Sequence, residues 1–197
     1  MPGRFAESAV ALSIGRAARD GTRRSCRRSW RTLCFVAVSL NARILVVSDT
    51  VASGHGDDRS GPGLEASLGA SGFVVDLRRV VPDGVESVAS ALREMCDGFC
   101  GLLVTTGGTG FSPRDLTPEA TRTVIDREAP GLAEAMRLVN PLGRLSRAIA
   151  GTRGLTIILN LPGSPRGALE CLGAVIDVVP HALELLGGAN PHRPTLD

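Results

Sequence analysis

The sequence predicts a three-layer α/β/α domain built on a mostly parallel sheet, and three observations carry that expectation. Apolar runs at 43–49, 101–106 and 155–160 lack polar alternation, as strands buried on both faces do. Stretches with apolar residues at steps of three and four separate them, as in helices that bury one stripe. Strand and helix alternate, which implies right-handed crossovers and helices on both faces of the sheet.

The elements follow in order. Arg43–Asp49 reads as the first buried strand, and Thr50–Gly56 is a glycine-rich loop followed by Asp57-Asp58-Arg59-Ser60-Gly61-Pro62. A helix runs from about 62 to 71 and ends at Gly72. Phe73–Val80 is the second strand. Pro82-Asp83-Gly84 turns into a helix with Val85, Val88, Leu92 and Met95 on one face. Gly101–Thr106 is the third strand, ending in Gly107-Gly108-Thr109-Gly110. Thr117-Pro118 places an N-cap and a first-turn proline, so helix is expected to about Glu128 and again over Pro130–Val139. Leu155–Asn160 is a further buried strand. Ser164-Pro165 then caps one long helix through Leu186, kinked at Pro180.

Composition bounds the function. The chain has 197 residues and is 43% apolar, enough for one domain with a sizeable core and too apolar for a disordered chain. No run of 18 apolar residues exists, which excludes a membrane-spanning helix. Eight Arg against two acids fall in residues 1–40, whereas 14 Arg face 18 acids in the rest. The net charge of +2 therefore averages a basic leader and a mildly acidic domain, and gives no argument for nucleic-acid binding. Residues 1–40 are expected to be a disordered Arg-rich extension, or upstream sequence ahead of a native start at Val36 or Val38. A transit peptide and a nucleic-acid arm are the rival readings, and no aromatic interleaving or helical face supports either. The domain is expected over 41–190, with a tail at 191–197. Cys26, Cys34, Cys96, Cys100 and Cys171 are odd in number and contain no Cys-x-x-Cys, which fits free thiols in the reducing cytoplasm.

The loops at 48–61, 105–115 and 160–165 all follow strand ends, where ligands bind on open α/β sheets. The glycines of 107–110 let consecutive backbone N–H groups curl around an anion, and Thr109 adds a hydroxyl; a tight turn is the plainer reading. Arg114 could pair with phosphate and be oriented by Asp115, or form a surface ion pair. Asp57, Asp58 and Asp83 are the candidate magnesium ligands, since Mg²⁺ in phosphate chemistry takes one or two carboxylates plus substrate oxygens. Equally, Asp83 and Glu86 form a capping-box pattern, and Asp58 suits a helix N-terminus. Asn160–Pro165 is a strand-to-helix turn ending at an anion-friendly helix start, or a simple cap. Cys171 sits on an apolar helix face, as a core thiol does.

The order of Ser48-Asp49-Thr50, Asp58-Arg59-Ser60-Gly61-Pro62, Val81-Pro82-Asp83, Thr106–Asp115, Thr117-Pro118-Glu119-Ala120-Thr121 and Pro162-Gly163-Ser164-Pro165 closely resembles the Mog/MoaB family of molybdenum-cofactor biosynthesis, which includes the G domains of gephyrin and its plant counterpart. The resemblance covers about 42–187. It implies a homotrimeric molybdopterin adenylyltransferase that moves AMP from Mg·ATP to the terminal phosphate of molybdopterin and hands its product to a molybdate-inserting enzyme. It implies catalytic and magnesium-binding roles for Asp58 and Asp83. It implies a phosphate cradle at Gly107, Gly108, Thr109 and Gly110, and substrate contacts at Ser112, Asp115, Ser146, Arg147, Pro162, Gly163 and Ser164. A molybdopterin-binding paralogue with little catalysis, and a scaffold module, are the alternatives.

Overall fold

A computed structural model describes residues 40–188; the expectations for the leader and the tail lie outside these residues. Among these residues the sheet has six strands: β1 (Asn41–Val47), β2 (Val74–Val81), β3 (Cys100–Thr106), β4 (Arg127–Glu128), β5 (Ala150–Arg153) and β6 (Leu155–Leu161). Their spatial order is β2-β1-β3-β6-β5-β4. The first four are parallel neighbours, and β5 and β4 are added antiparallel. The helices are α1 (Asp49–Ala52), α2 (Gly61–Ala70), α3 (Val85–Cys96), α4 (Thr117–Arg122), α5 (Pro130–Leu138), α6 (Pro165–Gly173) and α7 (Val179–Leu186), with a 3₁₀ turn at Pro141–Leu145.

The uninterrupted apolar strands are explained by two cores. Ile44, Val46, Leu102, Val104, Ile157 and Leu159 face one side and pack with Leu64, Leu68, Met136, Leu172 and Val179. Leu45, Val47, Leu103 and Ile158 point the other way, against Val88, Leu92, Met95 and Ala120. Successive strand residues alternate faces, so a strand covered twice must be apolar throughout. β2 lies at the edge of the sheet, and most of it is exposed. Its Asp76, Arg78 and Arg79 form ion pairs with Arg43, Glu65 and Glu94 respectively.

Two expectations are corrected. Helix α4 stops at Arg122 instead of continuing to Glu128, because the next residues join the sheet. Arg127 and Glu128 pair with Thr152 and Gly151, the Asp126 and Ala129 N–H groups donate to Thr152 and Ala150 carbonyls, and the Asp126 carboxylate accepts the Gly154 N–H at 2.8 Å. Tertiary pairing overrides helix propensity here. The last helix is not one kinked rod but two helices, separated by turns at 174–178. Pro180 sits in the first turn of α7, where its missing N–H costs nothing, and the chain restarts there.

One buried polar cluster ties the layers together. The Asn160 amide donates to Thr105 Oγ1 at 3.0 Å and to Thr121 Oγ1 at 2.9 Å, and its Oδ1 accepts the Ile149 N–H at 3.4 Å. All three side chains are fully buried, so β6, β3 and α4 are locked by bonds that water cannot replace. Asn160→Ala should therefore cost about 2–3 kcal/mol, from stranded hydroxyls plus a small cavity. Urea unfolding should show a lower midpoint with an unchanged slope; a loss under about 0.5 kcal/mol would show that the cluster contributes little.

Candidate functional site

The chain leaves β1 toward β2 on one side and returns to β3 on the other, so a topological switch point lies at the carboxyl ends of β1 and β3. Three loops converge there. The Ser48 N–H donates to the Val81 carbonyl, and the Gly107 N–H to the Leu161 carbonyl. The Thr106 hydroxyl donates to the Pro162 carbonyl at 2.8 Å. Gly107, at φ +108°, presses on β1 so closely that a Cβ would collide with the Val47 carbonyl oxygen. Gly108, at φ +62°, backs onto Thr117 Oγ1, and a Cβ there would lie 3.0 Å from Asp83 Oδ1. A Cβ on Gly163 would lie 3.2 Å from Gly107 Cα, which brings the 162–164 turn against the same loop. The glycine requirement at 107 and 108 is thus steric as well as conformational.

Among the described residues the N–H groups of Gly108, Thr109, Gly110, Gly163 and Ser164 donate to no partner. Successive unpaired N–H groups in a left-handed turn form a concavity for an anion, and the last two precede the first turn of α6. Thr109 is buried, its carbonyl accepting the Arg147 N–H at 2.9 Å. Ser164 is exposed and makes no side-chain cap bond.

The acidic residues have different surroundings. Asp83 is half-buried beside the glycine loop. Its Oδ2 accepts the Asp49 N–H at 2.9 Å, and its own N–H donates to Asp49 Oδ1 at 3.0 Å. Burial pushes its carboxyl above the usual range; the Asp49 N–H opposes this, and the Asp49 and Asp115 charges add to it. Asp58 Oδ1 accepts the Gly61 N–H at 2.7 Å and so starts α2, while Oδ2 lies 3.8 Å from Arg78 Nε and is buried without a hydrogen bond. Asp58 and Asp83 therefore share no partner. Asp57 is exposed.

Asp115 Oδ2 accepts the Ser112 N–H at 2.8 Å, closing their own turn. Ser146 Oγ accepts the Ala148 N–H at 3.2 Å. Arg147 braces the loop: its Nε donates to the Gly110 carbonyl at 2.7 Å, Nη1 to Glu119 and Nη2 to the Asp115 carbonyl. With these donors engaged, Arg147 shapes the site's wall.

Two features escape sequence reasoning. Asp49 belongs to a motif that assigns it no role, and it proves to be the partner of Asp83. Arg114 is held by Asp49, not Asp115, through Nε to Oδ2 at 2.9 Å and Nη2 to Oδ1 at 2.7 Å, with a further bond to the Asp83 carbonyl at 2.9 Å. The Arg114 hydrogen bond holds the Asp49 carboxyl below the usual range. The available signal is an Asp just past the carboxyl end of the first buried strand, two residues after Val47. Cys96 and Cys171 are poor candidates for a nucleophilic role: burial pushes Cys96 up to about 11, and Cys171 is buried with its thiol directed at the Met136 carbonyl.

Residues 43–181 match the model of a family described as a probable molybdopterin binding domain. The chain is 36% identical over 159 residues to the molybdopterin adenylyltransferase of Helicobacter pylori, covering 76% of this chain and 89% of that protein. It is 37% identical over 157 residues to gephyrin of Dictyostelium discoideum, covering 73% of this chain but only 22% of the gephyrin. A crystal structure of the molybdopterin biosynthesis enzyme MoaB from Thermus thermophilus superposes with a TM-score of 0.72 at 47% identity, covering 76% of this chain and 98% of that one.

The raised carboxyl of Asp83 gives a stability prediction. A raised acid binds more protons folded than unfolded, so its ionisation penalises the fold as pH climbs through and above the ordinary carboxylate range. Asp83→Asn keeps an oxygen for the Asp49 N–H and removes that penalty. Its Tm should equal or exceed that of the parent at pH 7, with the difference shrinking toward pH 3, where both states are protonated. A lower Tm at pH 7 would show that the carboxylate is a structural cap.

Proposed function

The chain belongs to the Mog/MoaB family of molybdopterin-binding proteins, and from that we propose that it is a molybdopterin adenylyltransferase of the cytoplasm. The observation that carries the reading is the row of N–H groups at 108–110, unpaired among the described residues, with the Asp83 carboxylate close to Gly108 at the switch point. One arm suits a phosphate and the other a cation-bound phosphate, so two anions can meet in one site.

In the proposed reaction a terminal phosphate oxygen of molybdopterin attacks the α-phosphorus of ATP. The bond to the bridging oxygen breaks and pyrophosphate departs. The nucleophile is already anionic, so no strong base is needed. Gly108, Thr109 and Gly110 N–H groups hold the attacking phosphate, and those of Gly163 and Ser164 extend the cradle. Ser112, Asp115 and Ser146 line its rim. Holding both reactants in line removes much of the entropic barrier.

Asp83 and Asp58 would hold a magnesium ion, which would neutralise charge on the ATP phosphates and on the departing pyrophosphate. Asp83 Oδ1 accepts no hydrogen bond among the described residues, and Asp58 Oδ2 is a buried oxygen without one. Hard carboxylate oxygens of this kind fit the ion. Of the two, Asp83 is better placed beside the cradle.

A second reading, a molybdopterin-binding paralogue with little transfer, has two observations in its favour: the likeness to a protein named MoaB, and the engagement of Asp58 with Gly61 and Arg78. Purified protein given molybdopterin and Mg·ATP should release pyrophosphate in step with adenylated product. Binding of molybdopterin without release would select the paralogue.

Under the transferase reading, Asp83→Asn should lower turnover roughly 100-fold while nearly preserving molybdopterin affinity, because it acts on the cation side. Asp58→Asn should do the same. Parallel loss of pterin affinity, measured by titration, would remove both carboxylates from the cation side.

We also propose a homotrimer that hands its product to a molybdate-inserting enzyme. Leu138, Leu142 and Leu145 are 77%, 74% and 57% exposed along the end of α5 and the 3₁₀ turn, an apolar run suited to contact between copies. Leu138→Glu with Leu142→Glu should shift light scattering from trimer to monomer. An unchanged trimer would place the contact elsewhere, and a monomeric parent would remove the proposal.

A further inference from the structure

Arg114 bonds the acidic side of the site. Its guanidinium grips both oxygens of Asp49 and the backbone carbonyl of Asp83, although its side chain is 61% exposed. The loops after β1, β2 and β3 meet at this one group. Asp49 in turn exchanges two hydrogen bonds with Asp83, its N–H taking Oδ2 and its Oδ1 taking the Asp83 N–H. Both carboxylate oxygens of Asp49 are thereby used, and Asp83 keeps only Oδ1, on the side of Gly108.

We propose that Arg114 and Asp49 are a positioning pair that aims the Asp83 carboxylate at the anion cradle. Neither residue touches substrate; both act through Asp83. The inference rests on the reading of Asp83 as the cation-side carboxylate.

The geometry favours this over a phosphate-binding Arg. A bidentate guanidinium–carboxylate pair is directional as well as attractive, so it fixes a loop better than a single bond does. Releasing Arg114 to a phosphate would break three bonds and leave Asp49 unpaired beside Asp83. The two carboxylates repel, and the Arg114 charge acts on both to offset that repulsion. Without it Asp83 would lose its orientation before it lost its place in the fold.

Arg114→Gln, Asp49→Asn and the double variant test this. Each single change should lower kcat roughly tenfold or more with the KM for molybdopterin unchanged, and the double should be no worse than either single, since both break one device. Arg114→Lys, which keeps charge without the fork, should recover only part of the loss. Amide exchange of Asp83, read by NMR on the unliganded protein, should quicken in each variant while Tm moves little. Additive losses, or an Arg114→Gln variant whose ATP KM rises with kcat intact, would overturn the proposal and make Arg114 a phosphate ligand. A parent protein that transfers no AMP would defeat the transferase reading alone. Asp83 amide exchange would then decide the latch, and unaltered exchange would overturn it.

Discussion

The site depends on one steric constraint: the backbone of Gly107 lies against the Val47 carbonyl, where no side chain fits. That contact brings the end of β3 against the end of β1 and lets the chain turn at once into Gly108. The Gly107 N–H bond to Leu161 draws in the end of β6, and the Thr106 hydroxyl fastens the following turn. The cradle is therefore a product of sheet closure. Its N–H groups are left unpaired because the turn is too tight for the loop to satisfy them itself.

Around this point two arginines divide the labour. Arg147 braces the 110–119 segment from one side, through Gly110, Asp115 and Glu119. Arg114 braces the acidic side through Asp49 and Asp83. Both guanidiniums are spent largely on backbone carbonyls and carboxylates of the protein itself. The site thus offers N–H dipoles and a carboxylate, while these two arginines hold its loops in place. Fixed dipoles of this kind need no rearrangement when charge shifts during a reaction.

The sheet's central strands were legible because burial on two faces leaves a continuous apolar signature, as at Ile44–Val47 and Ile157–Leu159. The glycine loop was legible because its motif is long. Short elements were not. Arg127 and Glu128 form a strand only because β5 lies beside them, and nothing local in Asp126–Glu128 signals that pairing. The break between α6 and α7 was half visible: Pro180 marked the place, but the turns at 174–178 begin several residues earlier. At the site, residue types were readable while their partners were not. Arg114 and Asp115 are adjacent in sequence, yet Arg114 bonds a residue 65 positions away, and only the fold supplies that neighbour.

The edge strand β2 bears on how this protein behaves at high concentration. Sheet edges present unpaired N–H and C=O groups that can recruit a strand from another molecule, and Val74, Leu77 and Val80 would make such recruitment attractive. Along the same strand Asp76, Arg78 and Arg79 are tied to Arg43, Glu65 and Glu94. An incoming strand would have to displace or desolvate those pairs. The opposite edge is occupied by β4, only two residues long. A long open sheet is thus protected from fibre-like growth by charge at one end and by brevity at the other.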